Sequence, residues 1–416
     1  MLSQESGGGT ALGLSRRRGT AFLPAWTRIA PALFTLAWGG NHFTPLLHLY
    51  EEAGSYSLWQ VNLLLGTYVG GLIPGLLVAS ALSDKHGRKP VLVYGLILSV
   101  LGSGLLAFGL ASFGVLLAGR ALAGFGVGVA MSVGTSWMKE LSSAPFDLAA
   151  SRTAGAKRPS LTLTLGFGLG AGITGVLAQW APAPTMTPFL LHAALSCAAL
   201  AAVCTAPESL PRSSRNTEAW WRDLRVPAAG HRTFRRLVLP MAPWVFAAAG
   251  VAYAIMPSIV QNQLGNWSTL YATALTVLTL GSGAMVQNLV PRINRATKGR
   301  ASILGMTLMA LGMILAAVTA LVPSPLLALG VAVLLGVAYG ICVVSGLITV
   351  QGIAEPEDLA GLTGLYYSLT YAGFLLPTLL AALLPIASYP MTLAAVSVIC
   401  VSCLLLIARG TLEPKS

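Results

Sequence analysis

Residues 57–110 read SLWQVNLLLGTYVGGLIPGLLVASALSDKHGRKPVLVYGLILSVLGSGLLAFGL. Two apolar runs, at about 57–82 and 90–110, flank a short charged turn from Asp84 to Lys89. A helix needs roughly 20 apolar residues to cross a bilayer, so this stretch reads as one span, a tight turn and a second span. The same signal recurs along the chain, at about 27–49, 113–137, 159–180 and 187–205, then at about 237–260, 267–290, 301–322, 325–350, 359–384 and 388–408. The composition agrees: 55% of the 416 residues are hydrophobic and only 9% charged. A soluble domain carries about a quarter of its residues as charges, so lipid must be the solvent. The 46 glycines suit helices that pack closely in it.

Six spans, a polar stretch, then six spans is the pattern of two membrane half-domains. We expect a flexible cytoplasmic tail over 1–26, a six-helix bundle over 27–205, a linker over 206–236, a second bundle over 237–409 and a tail over 410–416. The tail lacks the basic start, short apolar core and cleavage site of a signal peptide. The linker carries seven arginines from Arg212 to Arg236 around Trp220 and Trp221. It reads either as a short helix on the bilayer surface or as a disordered connection.

With the N-terminus inside, cytoplasmic segments hold 24 of the 25 basic residues. That asymmetry is the positive-inside pattern, and it accounts for the net charge of +12 without a nucleic-acid partner. The five cysteines all lie in apolar stretches and read as small hydrophobes, neither a disulfide framework nor a metal site. The basic residue left over is Arg120, about seven residues into the fourth span. Seven residues at 1.5 Å each place it roughly 10 Å deep. A cation there marks a functional site unless it snorkels to the interface.

The turn Ser80-Ala81-Leu82-Ser83-Asp84-Lys85-His86-Gly87-Arg88-Lys89 closely resembles the signature loop of the major facilitator superfamily, with Ser80 in place of the leading glycine. The resemblance implies twelve transmembrane helices as two six-helix bundles around a central cavity, an all-α polytopic membrane protein. It also implies that Asp84 pairs across the two halves and, with Arg88, switches conformation. Arg120-Ala121-Leu122-Ala123-Gly124-Phe125-Gly126-Val127-Gly128 is similar to the family's fourth span, whose arginine is associated with proton coupling. Gly124 and Gly128, four apart, line one face that another helix or a substrate approaches. Gly166 to Gly175 looks like the antiporter motif of the bacterial drug/proton branch, but Ala171 stands where proline is expected and Thr174 where a closing glycine is expected. The second half repeats the signature loop only in degenerate form, from Arg292 to Arg300.

The first span ends Trp38-Gly39-Gly40-Asn41-His42-Phe43-Thr44-Pro45-Leu46-Leu47-His48. Pro45 bends or opens the helix, a feature tolerated where the chain lines a cavity. His42 is either the group that takes up and releases a proton or a hydrogen-bonded packing residue, and Asn41 is a candidate substrate contact beside it. His48 lies nearer the outer surface and reads as structural. Tyr367 and Tyr371, four apart on one face with Tyr366 offset, offer an aromatic wall with hydroxyl handles, joined by Trp38 and Phe43, while Tyr339 in the tenth span is a separate cavity candidate. A girdle at the lipid interface is the competing reading, above all for Tyr366. No carboxylate lies deep in any span, so Arg120 favours an anionic or neutral substrate.

These features point to a secondary transporter working by alternating access, which exports an amphipathic, neutral or weakly anionic small molecule, with proton antiport as its coupling. Uptake of a metabolite by the same fold is the alternative. The spans are too apolar for a channel, and no catalytic cluster or phosphate-binding loop suggests an enzyme or an ATP-driven pump. No cofactor or metal is expected. The expected partners are substrate, protons and membrane lipids, for a monomer in a bacterial inner membrane with both termini cytoplasmic.

Overall fold

Pro45 has no backbone N–H, and its ring collides with the carbonyl four residues back. That residue is Asn41, and the first helix, α1 (Ala30–Asn41), stops there. A 3₁₀ turn over Thr44–Leu46 leads into a second short helix, α2 (Leu47–Gly54). The expected first span over 27–49 is therefore two pieces joined at His42 and Phe43, extended to Gly54. The computed structural model describes residues 24–151, 153–211, 227–355 and 359–412, all helix, turn or loop. Arg16 to Arg18, Arg152, Arg212 to Arg225 with Trp220 and Trp221, and Lys415 fall outside the described residues, so the expectations for the tails and the linker helix lie outside them too.

The remaining helices run in chain order. They are α3 (Leu58–His86), α4 (Arg88–Phe108), α5 (Phe113–Val129), α6 (Thr135–Leu141), α7 (Ala154–Trp180) and α8 (Thr187–Cys204). After the linker come α9 (Leu239–Gly250), α10 (Met256–Val260), α11 (Ser268–Gln287), α12 (Val290–Ala296), α13 (Ala301–Leu321) and α14 (Pro325–Ile353). The chain closes with α15 (Leu359–Ala372), α16 (Leu375–Leu383) and α17 (Tyr389–Leu412). Single π-turns join α5 to α6 and α9 to α10, making one rod of each pair. The protein is an all-α polytopic membrane protein: among the described residues, eleven helices are long and apolar enough to cross a membrane. The broken first segment is not one of them, because neither piece reaches a span's length.

Local chemistry sets the boundaries. Ser57 caps α3 with Gln60, whose side chain accepts from the Ser57 amide at 2.9 Å. Gly87, at φ 105°, makes the corner between α3 and α4 that other residues resist. The glycine faces pack helix on helix. A side chain at Gly124 or Gly128 of α5 would strike the Tyr68 or Leu72 carbonyl of α3, and one at Gly71 or Gly75 would strike Ala121 or Phe125. These glycines serve backbone contact, not substrate approach. Gly166 and Gly170 of α7 meet α1 at Phe34 and Trp38 in the same way, and Gly336 and Gly340 of α14 meet α11.

Among the described residues three apolar clusters are large, two outer cores each confined to one half and a mixed central one. One holds only residues from Ile29 to Ala206, another only residues from Met241 to Ile407. The third mixes the halves, with Phe43, Tyr68 and Leu64 beside Tyr253, Tyr371 and Phe374. The halves also meet near the start of α3. Thr378 donates to the Asn62 carbonyl at 2.8 Å, Gln179 donates to the Asn266 carbonyl at 2.9 Å, and Gly175 lies against Thr273. We call this the far end and the opposite one, with Asp84 and Arg88, the basic end.

Candidate functional site

At the basic end the expected Asp84 contact across the halves is absent among the described residues. Asp84 instead pairs with Arg88 of its own half at 2.6 Å, because one helical turn separates them across the Gly87 corner. Glu140 of α6 takes the other side of the guanidinium at 3.1 Å. Glu208, just past α8, accepts from the Arg88 and Lys89 amides at 3.1 and 3.0 Å, which places an anion on the exposed donors of the α4 N-terminus. Ser209 bonds Glu140. The start of the linker is thus bound into the signature turn, a role the sequence did not show for Glu208.

Deeper in, Arg120 of α5 has no exposed surface and lies on Phe43 and Tyr68 of the mixed central core. It does not snorkel. Its Nε donates to the Leu64 carbonyl at 3.1 Å, and the guanidinium lies 4.7 Å from the Tyr68 ring centre and 4.8 Å from that of Phe43. The aromatic faces stabilise the cation, but Nη1 and Nη2 have no hydrogen-bond partner among the described residues. Four N–H bonds therefore stay open, in the fork geometry that matches a carboxylate or sulfonate.

His42, at the break after α1, is fully buried, and neither ring nitrogen has a partner among the described residues. Its ring meets His192 of α8 edge to face at 4.7 Å and Phe189 at 4.8 Å. His192 went unread in the sequence, although an imidazole inside the sixth span was signal enough. It is fully engaged, with Ser103 Oγ at 2.7 Å from Nδ1 and the Thr35 carbonyl at 2.8 Å from Nε2. Asn41 is buried at the end of α1, beside His42.

The second half supplies an aromatic stack. Phe246 of α9 stacks on Tyr371 at 4.2 Å and on Phe374 at 4.9 Å, with Tyr339 beyond at 6.3 Å. The Tyr371 hydroxyl reaches Met131 Sδ of the first half at 3.1 Å. Tyr367 is half-buried against the same central core. Of the tyrosines singled out in the sequence, Tyr371 and Tyr339 meet around Phe246, which sequence reading passed over, whereas the ring of Tyr367 meets Tyr366. Trp38 does not join it, since it packs inside the first half against Phe34 and Gly170. Tyr366 is no lipid girdle. It is buried, donates to the Val343 carbonyl at 2.9 Å and ties α15 to α14. At the far end a narrow crevice between the halves is lined by Asn62, Tyr253, His48 and Gln261.

Residues 29–378 match the family model described as Major Facilitator Superfamily. The chain belongs to the Major Facilitator Superfamily. As a member of that superfamily it is a transporter and not an enzyme, and it moves a small molecule across a membrane. The structure of nucleoside transporter NupG aligns with a TM-score of 0.73 at 11% identity, covering 94% of this chain and 100% of that one. A POT family transporter in complex with 5-aminolevulinic acid gives 0.67 at 13% identity, covering 93% and 97%. The human organic anion transporter TETRAN gives 0.60 at 19%, covering 92% and 100%. These likenesses establish the fold. The Bacillibactin exporter of Bacillus subtilis (strain 168) is 33% identical over 100 residues, which span 23% of this chain and 24% of that protein. The superfamily stands, while the narrower drug/proton antiporter branch does not follow from these relatives.

Proposed function

We propose that this chain is an uptake permease for an amphipathic organic anion, bound between Arg120 and the aromatic wall of the second half. The carrying observation is the Arg120 guanidinium, buried without exposed surface and with two unpartnered nitrogens. A buried, unpaired cation is costly, and an anionic substrate is the partner that removes the cost. The apolar part of such a substrate suits Tyr371, Phe246 and Phe374, because aromatic faces accept flat apolar groups. The two outer cores support a plan of two six-helix bundles, 27–205 and 237–409, with the broken first segment as the twelfth span and one chain sufficient for transport. By the positive-inside rule the basic end faces the cytoplasm of a bacterial inner membrane, with both termini inside.

Alternating access would part the far-end contacts at Asn62, Thr273 and Asn266 while the basic end closes. Arg120, His42, Asn41, Tyr339, Tyr367 and Tyr371 line or support the substrate site in this reading, and Asp84 with Arg88 changes partner between states. Export is the second reading. It is favoured by one observation, the stretch similar to the Bacillibactin exporter. Purified protein in liposomes, offered radiolabelled p-toluenesulfonate or phthalate outside, tests both. Accumulation that disappears in Arg120→Met supports uptake of anions. Loss of preloaded anion through outward-driven flux alone supports export, and no movement of any aromatic anion refutes the substrate class.

A further inference from the structure

The first half buries two imidazoles in edge contact, and only one is satisfied. A carbonyl oxygen can only accept, so the 2.8 Å contact to Thr35 puts the hydrogen of His192 on Nε2. Its Nδ1 is then the acceptor in the neutral ring, filled by the Ser103 hydroxyl at 2.7 Å. Ser196 Oγ lies 3.5 Å from Nε2 on the donor side. His192 is a packing histidine with both ring nitrogens hydrogen-bonded. His42 has the same burial and no partner at either nitrogen among the described residues. A ring kept for packing alone would be bonded as its neighbour is, so His42 holds an open position for a ligand that an imidazole nitrogen takes.

We propose that this ligand is a proton, and that it binds at His42 in concert with the anion at Arg120, so that the two are carried together. The inference rests on the anion reading of Arg120. A proton from water forms an N–H bond at the bare nitrogen of His42, and the imidazole becomes an imidazolium with no other bond broken. The groups that face this ring are His192 and Phe189 from α8 and the Arg120 charge from α5. Phe43, next in sequence, carries the Arg120 guanidinium on its ring. Tyr50 of α2 meets Phe43 and Phe189 edge to face, but its hydroxyl donates to the Leu106 carbonyl at 3.1 Å. No carboxylate among the described residues pairs with either cation; Glu51 and Glu52 pair with His48 instead.

Two positive charges in one low-dielectric core oppose each other strongly. An anion on Nη1 and Nη2 of Arg120 offsets that charge and removes its opposition to a second positive charge at His42. By linkage the proton must favour the anion equally. An inward proton gradient would then drive anion uptake, as symport rather than the antiport expected from the fifth-span glycines.

Full-length protein in detergent, weakly buffered at about pH 7 with a pH indicator, tests this with p-toluenesulfonate, an anion that stays ionised and cannot carry the proton itself. The wild type should take up close to one proton per anion bound. Its affinity should rise up to about tenfold per pH unit as pH falls. His42→Gln should bind the anion with no proton uptake and no pH dependence. His48→Gln, which alters the outer histidine, should behave as wild type. Binding without proton uptake in the wild type overturns the linkage and leaves the anion site standing. Proton uptake that survives in His42→Gln, or vanishes only in His48→Gln, overturns the assignment to His42. Absence of binding overturns the anion reading on which the proposal depends, and a wild-type melting profile shows that His42→Gln is folded.

Discussion

Replacing Arg120 by methionine removes the charge and the fork while keeping an unbranched apolar side chain in the same space. Wild-type Arg120 offers an arriving anion two nitrogens with no partner among the described residues. Charge-assisted hydrogen bonds contribute about 1.5–3 kcal/mol each. Displacement of any solvent from the anion and ordering of its groups take back a share, so we set the net loss at about 3 kcal/mol. At 1.4 kcal/mol per factor of ten, the anion affinity should fall roughly a hundredfold. Folding should suffer far less. The variant gives up the Leu64 hydrogen bond and the faces of Phe43 and Tyr68, but it also relieves a buried, unpaired cation, a change often neutral or stabilising. Calorimetric titration with p-toluenesulfonate and a thermal melt in the same detergent read the two effects separately. Affinity within threefold of wild type would refute the reasoning, as would a melting point lowered so far that the protein no longer elutes as one species, since Arg120 would then be structural.

Three further substitutions probe the parts around the site. Gly124→Leu places a side chain against the Tyr68 carbonyl and should cost about 1–3 kcal/mol by overpacking, seen as a lower melting temperature; an unchanged melt means that α3 and α5 are not in backbone contact. Gly175→Leu intrudes on Thr273 across the halves and should part the far end. Faster hydrogen exchange over 178–182 and 262–268, with no change near Asp84, is the expected record. Glu208→Gln retains the shape of the α4 cap but removes its charge from the Arg88 and Lys89 amides. A loss of about 1 kcal/mol, with faster exchange at the start of α4, should follow, and equal exchange rates would show that Glu208 does not hold that turn.

Much of the candidate site was legible because isolated polar groups stand out in an apolar chain. Arg120 announced itself as the one basic residue outside the topogenic clusters, and Pro45 marked an irregularity in the first span whose position, after Asn41, the structure supplied. Asp84, Arg88 and Gly87 marked the turn. Other features were visible but ambiguous. The Gly124 and Gly128 face is compatible with a substrate or a helix, and only the carbonyls of Tyr68 and Leu72 against it decide for the helix. Tyr366 and Tyr371 differ by little in sequence, yet one clamps α15 to α14 while the other stacks on Phe246. Direction round a helix is set by neighbours that sequence spacing does not name.

Two pairings lay beyond any reading of the chain in order. His42 and His192 touch across 150 residues of sequence, and Glu208 reaches back to Arg88 across 120. Composition, span length and charge placement determined that this is a helical membrane protein with cations gathered at one end, because the cost of burying charge in lipid acts on each residue alone. Which buried groups satisfy one another is a property of pairs. The tertiary structure decided that His192 is bonded while His42 is bare, and that Arg120 holds two open nitrogens, because hydrogen bonds and ring contacts extend only a few ångströms and depend on where helices distant in sequence come to rest.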